Sequence, residues 1–115
     1  MLNLDVTTLA VVVAQARADA SAHPRWLAAI GRACLELETN PYIERVDHGL
    51  VIGSPSGKCY AANGTCQCRA FDFGRPCWHR AAARLVRLHD EAIERKAVIA
   101  RQAVAQAAID ELYAK

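Results

Sequence analysis

Cys66-Gln-Cys68 and Cys77-Trp-His79 are separated by an eight-residue spacer, so four soft or borderline ligands fall within fourteen residues. Zinc takes four thiolate or imidazole ligands in a tetrahedron, and three cysteines with one histidine fill every position. Such a site is closed, with no position left for water or substrate, which points to a structural ion and away from catalysis. Pro76 suits entry to a helix, because its missing N–H would be unpaired there anyway. Residues i and i+2 do not face each other inside a helix. Cys77 and His79 can therefore share one ion only where the backbone is still turning in. The partial positive charge of that helix start would favour the thiolate a metal needs.

Two other uses of these residues are weaker. Three of the five cysteines cluster with a histidine in a Gly- and Pro-bearing stretch before a strong helix, which buried structural thiols have no reason to do. A disulfide framework would leave one cysteine odd, no leader peptide is expected before it, and Cys66 and Cys68 are too close for easy bridging.

Cys66-x-Cys68-x8-Cys77-x-His79, preceded by short β-prone runs and followed by a helix, resembles a SWIM-type zinc finger over about residues 42–90. The resemblance implies that Cys66, Cys68, Cys77 and His79 bind Zn2+. SWIM domains are associated with DNA binding and with protein–protein interaction, and usually form one module of a larger chain. Here the finger occupies much of the 115 residues.

The elements that must position these ligands are legible in the pattern. Residues 5–22 and 24–39 read as two helices joined by a short link, hence an antiparallel hairpin spanning residues 1–41. Asp5, Thr7 or Thr8 can cap the first helix, and Leu9, Val12, Val13, Ala16 and Ala20 lie along one stripe of it. Pro24 opens the second helix, Trp26, Leu27, Ile30, Cys34 and Leu37 share a face, and Asn40-Pro41 ends it. Residues 42–46, 50–52 and 58–61 are short strands with turns at Asp47-His48-Gly49 and Ser54-Pro55-Ser56-Gly57. They predict a small antiparallel sheet leading into the ligand loop. Cys59 is expected to pack within that sheet and not to serve as a fifth ligand. Phe71 and Phe73, two residues apart, are expected to cover the metal, with a base-stacking role as the sharper alternative. Trp78 is either core or an exposed anchor.

From Cys77 to Lys115 no Gly or Pro interrupts a helix that could run ~55 Å. Its apolar arc is wider than one neighbour needs. The hairpin can cover part of it; the remainder suggests a partner chain, and a second copy is one candidate. The fold class is therefore α+β: a helical hairpin, a finger core over 42–90, and residues 91–115 continuing the last helix within one domain.

A hydrophobic content of 53% excludes a disordered chain. The net charge of +2 is too small to decide between partners. Its distribution says more. Lys58, Arg69, Arg75, Arg80, Arg84 and Arg87 face only Asp72 within residues 58–87, whereas residues 1–47 are net acidic. Arg69, Arg75, Arg80, Arg84 and Arg87 are thus candidate phosphate contacts for DNA or another nucleic acid. The bland alternative is that they balance the thiolates. A protein–protein interaction module acting through the helices is the second function class.

No Gly-rich phosphate loop, carboxylate pair or Ser/His/Asp set stands out, so neither an enzyme nor a small-molecule substrate is expected. The longest early apolar run, residues 9–14, is too short to span a membrane. Unpaired thiols fit a reducing cytoplasmic or nuclear compartment.

Overall fold

A computed structural model of the chain describes residues 2–54, 56–63, 65–68, 70 and 73–114. The order of elements is α1 (Val6–Asp19), α2 (Pro24–Thr39), β1 (Ile43–Val46), β2 (Gly49–Gly53), β3 (Cys59–Ala62) and α3 (Trp78–Tyr113). This is the α+β arrangement that the sequence pattern predicts, with each boundary moved by no more than three residues.

The three strands form one antiparallel sheet in the order β1-β2-β3. Ile43 pairs with Ile52, and Leu50 with Ala62. The alternation of strand side chains then sends Ile43, Leu50 and Ile52 to one face. All three are 1% exposed, as is Leu85 of α3. These are the largest fully buried side chains, and truncating one such residue to alanine costs about 2–5 kcal/mol. Gly49 is required where β1 turns into β2. Its φ is +151°, and a Cβ there would stand 2.2 Å from the Ala62 carbonyl oxygen across the ladder.

Both N-terminal helices pack on α3 more than on each other. Asp5 caps α1, its carboxylate accepting from the Thr8 N–H at 2.9 Å. On α2 the buried residues are Ala29, Ile30 and Ala33, with Trp26, Cys34 and Leu37 half-buried at the edge of the same core. Cys34 is therefore the small core-edge residue its face predicts, and burial raises its thiol pKa.

The start of α1 is tied to α3 by a polar cluster around the buried His89. The Asp5 N–H donates to His89 Nε2 at 2.9 Å, and His89 Nδ1 lies 2.9 Å from Asp90 Oδ1. Since Nε2 accepts, the ring proton sits on Nδ1 and faces the carboxylate. Arg45 of β1 completes the group, bonding both Asp90 oxygens at 2.8 and 3.0 Å and the Asn3 carbonyl at 2.7 Å. One cluster thus joins the first residues, the sheet and the middle of α3.

The far half of α3 has no such neighbours. The helix is 36 residues long, which at about 1.5 Å per residue is ~54 Å, and it sets the 66 Å long axis of the molecule. Residues 99–114 are all exposed. Among the described residues no helix is long and apolar enough to cross a membrane.

The ion pair of Arg45 and Asp90 predicts an acid transition. Arg45 holds the Asp90 carboxyl below its ordinary value of 3.8, and His89 adds to this. A depressed folded-state pKa contributes stability above the unfolded value and loses it as pH falls through the folded one. The pair is partly exposed, so the contribution is at most about 1 kcal/mol. Thermal melts should show stability falling below about pH 4, and Asp90→Asn should flatten that fall while lowering the melting temperature at neutral pH. An unchanged pH profile in the variant would remove Asp90 from this account.

Candidate metal centre

The chain reaches the ligand loop through a locally determined turn. Asn63 donates its N–H to the Thr65 carbonyl at 3.0 Å, and its side-chain oxygen accepts the Thr65 N–H at 2.9 Å. This side-chain turn is what asparagine favours. It folds Cys66 back beside Ala62, with which it forms an isolated antiparallel bridge. Gln67, between the two cysteines, accepts from the Ala61 N–H at 3.4 Å. The Cys-x-Cys pair therefore lies on a returning segment held against the end of β3.

The second pair sits where the helix begins. Cys77 is the N-cap residue of α3, and its sulfur accepts the Arg80 N–H at 3.4 Å. His79 occupies the first turn, so the two side chains converge before helical geometry would separate them. The expectation that the ligands need a helix start is met in that form.

Cys66, Cys68, Cys77 and His79 come together with their ligand atoms all within 4.8 Å of one another. Tetrahedral zinc sets neighbouring ligand atoms roughly 3.3–3.8 Å apart, from bonds of about 2.0–2.3 Å. Closing the observed cluster onto an ion needs only a small contraction. The three sulfurs are 4–5% exposed, and none of the described cysteines is in a disulfide. The donor set passes a chemical test as well. His79 Nδ1 is buried with no hydrogen-bond partner, a costly state for a ring nitrogen unless a metal takes its lone pair. The residues fit zinc, which would be held by all four and would cross-link β3 to α3.

Burial dominates the titration of the bare site. It pushes the Cys66 thiol up to about 12 and raises that of Cys77, while it lowers the pKa of His79. Without metal, burial favours the neutral forms of the Cys66 and Cys77 thiols and of the His79 imidazole.

The surroundings contain one residue, Tyr60, that the sequence pattern does not single out. Tyr60 of β3 lies 5.0 Å from the His79 ring, and Trp78 lies 4.1 Å from it. The imidazole packs against two aromatic rings, one from β3 and one from α3. Trp78 is half-buried, with the Arg32 guanidinium 5.6 Å from its ring. A strand aromatic two residues before an inward-facing alanine gives no sequence signal for this role.

Two expectations are corrected. Phe73 does not cover the metal: it is 66% exposed, and it stands next to Gly74, whose φ is +68°. Arg75 sits over its ring at 5.7 Å. Cys59 is outside the ligand cluster, as expected, but it is exposed and not packed into the sheet. The expectations for Arg69 and Phe71 fall outside the described residues.

The remaining arginines lie along the first turns of α3. Arg84 and Arg87 are exposed, and Arg80 lies 5.3 Å from the Trp26 ring. All three line a groove of about 1000 Å³ between α3, the α1–α2 link and the β1–β2 turn. Asp19 and Asp47 line it too. Charges that are segregated along the sequence thus face one another across this groove. Arg87 also has Glu91 at 4.0 Å, a weak surface pair.

Against known proteins, residues 58–86 match the family model of the SWIM zinc finger. Comparison of the chain with curated proteins and with solved structures found no match.

Zinc loading at pH 7 should release about three protons per ion, one per thiol and none from the neutral imidazole. Proton release in weak buffer measures this, and affinity should fall as pH falls. Cobalt(II) should give the intense absorption of a tetrahedral thiolate site. That spectrum should survive Cys59→Ser and change with Cys68→Ser; the reverse pattern would place the site elsewhere.

Proposed function

With residues 58–86 matching the SWIM zinc finger and four fitting ligands gathered in one place, we propose that this protein binds nucleic acid through the surface that the metal centre stiffens. The observation that carries the reading is Phe73. A 66% exposed aromatic ring, backed by the Arg75 guanidinium, sits on the loop between the two ligand pairs. It serves neither the core nor the metal. Such a ring–guanidinium surface is what an unpaired base stacks on. Arg84 and Arg87 then supply phosphate contacts from the adjoining helix. The zinc has a structural role in this reading, and no catalytic step is assigned.

The reading favours single strands over duplex, because stacking needs a base free of its partner. It also narrows the set of contacts. Arg80 already packs against Trp26, and Asp19 and Asp47 share its groove, so Arg75, Arg84 and Arg87 are the stronger candidates. A second reading, an adaptor that recruits a DNA-processing or transcription protein, draws on the uncovered outer turns of α3.

Fluorescence anisotropy of zinc-loaded protein with labelled single- and double-stranded DNA tests the first reading. Affinity should fall linearly on a log–log salt plot. Phe73→Ala should cost about 1–3 kcal/mol on single strands. Arg84→Glu with Arg87→Glu should reduce the salt slope by about two phosphate contacts and leave the melting temperature near the parent value. Absence of binding at low salt would reject the nucleic-acid reading.

A further inference from the structure

The groove between α3, the α1–α2 link and the β1–β2 turn has walls of opposite charge. On the α3 side, Arg80, Arg84 and Arg87 recur at spacings of four and three, which is one row along a helix. On the other side stand Asp19, at the end of α1, and Asp47, in the β1–β2 turn. The floor between them is apolar, from Ile30, Leu50, Leu85 and Val86. The walls do not close on each other. Among the described residues, the side chains of Arg84 and Asp47 take part in no ion pair or hydrogen bond. Both are exposed, and a space of about 1000 Å³ lies between the walls, which is the size of a ligand site and not of a packing defect.

Asn63 adds a hydrogen-bond donor to the acidic wall. A Cβ on Gly49 would come within 3.0 Å of the Asn63 Cβ, so Asn63 lies against the same turn that carries Asp47. Its side-chain oxygen already accepts from the Thr65 N–H at 2.9 Å and the Thr65 hydroxyl at 3.1 Å. This fixes the amide and leaves its NH2 group to donate. An acceptor and a donor therefore belong to one wall, opposite a row of cations.

That arrangement selects the kind of occupant. An acidic peptide would meet Asp19 and Asp47, and a basic one would meet the arginines. A nucleic acid strand carries both complements: a line of phosphates on one side, and base edges with N–H donors on the other. We infer that this groove reads the bases of a single strand, with its phosphates on Arg84 and Arg87 and with Asp47 and Asn63 favouring cytosine over uracil or thymine. Cytosine offers the N4 amino group beside an acceptor nitrogen. The Asp47 carboxylate accepts from the first, and the Asn63 amide donates to the second. Uracil and thymine carry the O4 acceptor at the position of that amino group, and a carboxylate repels it. The inference rests on the nucleic-acid reading and deepens it by naming a base preference.

Fluorescence anisotropy of zinc-loaded protein with labelled oligodeoxycytidine and oligodeoxyuridine of equal length, at neutral pH, tests it. Two pyrimidines share ring size and phosphates, so stacking on Phe73 and contacts to the arginines weigh equally on both. The cytosine strand should bind about five- to tenfold more tightly. Asp47→Asn should bring the two affinities within about twofold, because an amide can serve either base. Loss of a negative charge strengthens binding of both strands, so the ratio is the readout. Asp110→Asn removes the same charge at the far tip of α3 and should leave the ratio at the parent value. Equal binding of the two strands by the parent overturns the inference and leaves the nucleic-acid reading standing. A preference that survives Asp47→Asn overturns the assignment to Asp47. Binding to neither strand rejects the nucleic-acid reading and this inference with it.

Discussion

The fold depends on bringing three sulfurs and one nitrogen to a single point from two elements that are otherwise weakly joined. β3 and the Asn63 turn present Cys66 and Cys68; the first turn of α3 presents Cys77 and His79. Apart from this point, the sheet and α3 share the buried core of Ile43, Leu50, Ile52 and Leu85 and the Arg45–Asp90 ion pair. A structural zinc in a small finger is worth about 10–16 kcal/mol in apparent binding free energy. The entire stability of an ordinary domain is about 5–15 kcal/mol. A bound zinc would therefore outweigh any single hydrophobic contact here. The stacking of His79 between Tyr60 and Trp78 directs one ligand and cannot replace the bond.

From that point α3 divides into two halves. Its first half is a scaffold: Ala82, Leu85, Val86 and His89 receive α1, α2 and the sheet, while Arg84 and Arg87 remain outside. Its second half leaves the domain altogether. The polar cluster of Asp5, His89, Asp90 and Arg45 marks the transition. It anchors the beginning of α1 close to where α3 leaves its intramolecular neighbours, with Lys96 still reaching Thr8 a turn and a half further on.

Much of this was legible in the sequence, for identifiable reasons. The ligands were legible because cysteine is scarce and the spacing admits few geometries. The helix boundaries at Asp5, Pro24 and Asn40 were legible because caps and proline act locally. The features that escaped depend on contacts distant in sequence. Tyr60 beside His79, and Asp19 and Asp47 opposite Arg80 and Arg84, follow only once the sheet is laid on α3. Phe73 was expected over the metal because period two suggested an inward face, but the segment is a turn and not a strand, and the ring is exposed. Cys59 was expected within the sheet from the burial habit of cysteine, yet it lies at the start of the edge strand β3, where its side chain is uncovered.

The central claim is that the cluster of Cys66, Cys68, Cys77 and His79 holds the fold together through a bound zinc ion. Thermal unfolding followed by circular dichroism, on zinc-loaded protein and on the same sample stripped by chelation, tests it most directly. The stripped protein should lose its cooperative transition or melt at a far lower temperature, with recovery on adding zinc. A stripped protein that keeps the full melting temperature would contradict the account and leave the cluster as four buried side chains without a structural task.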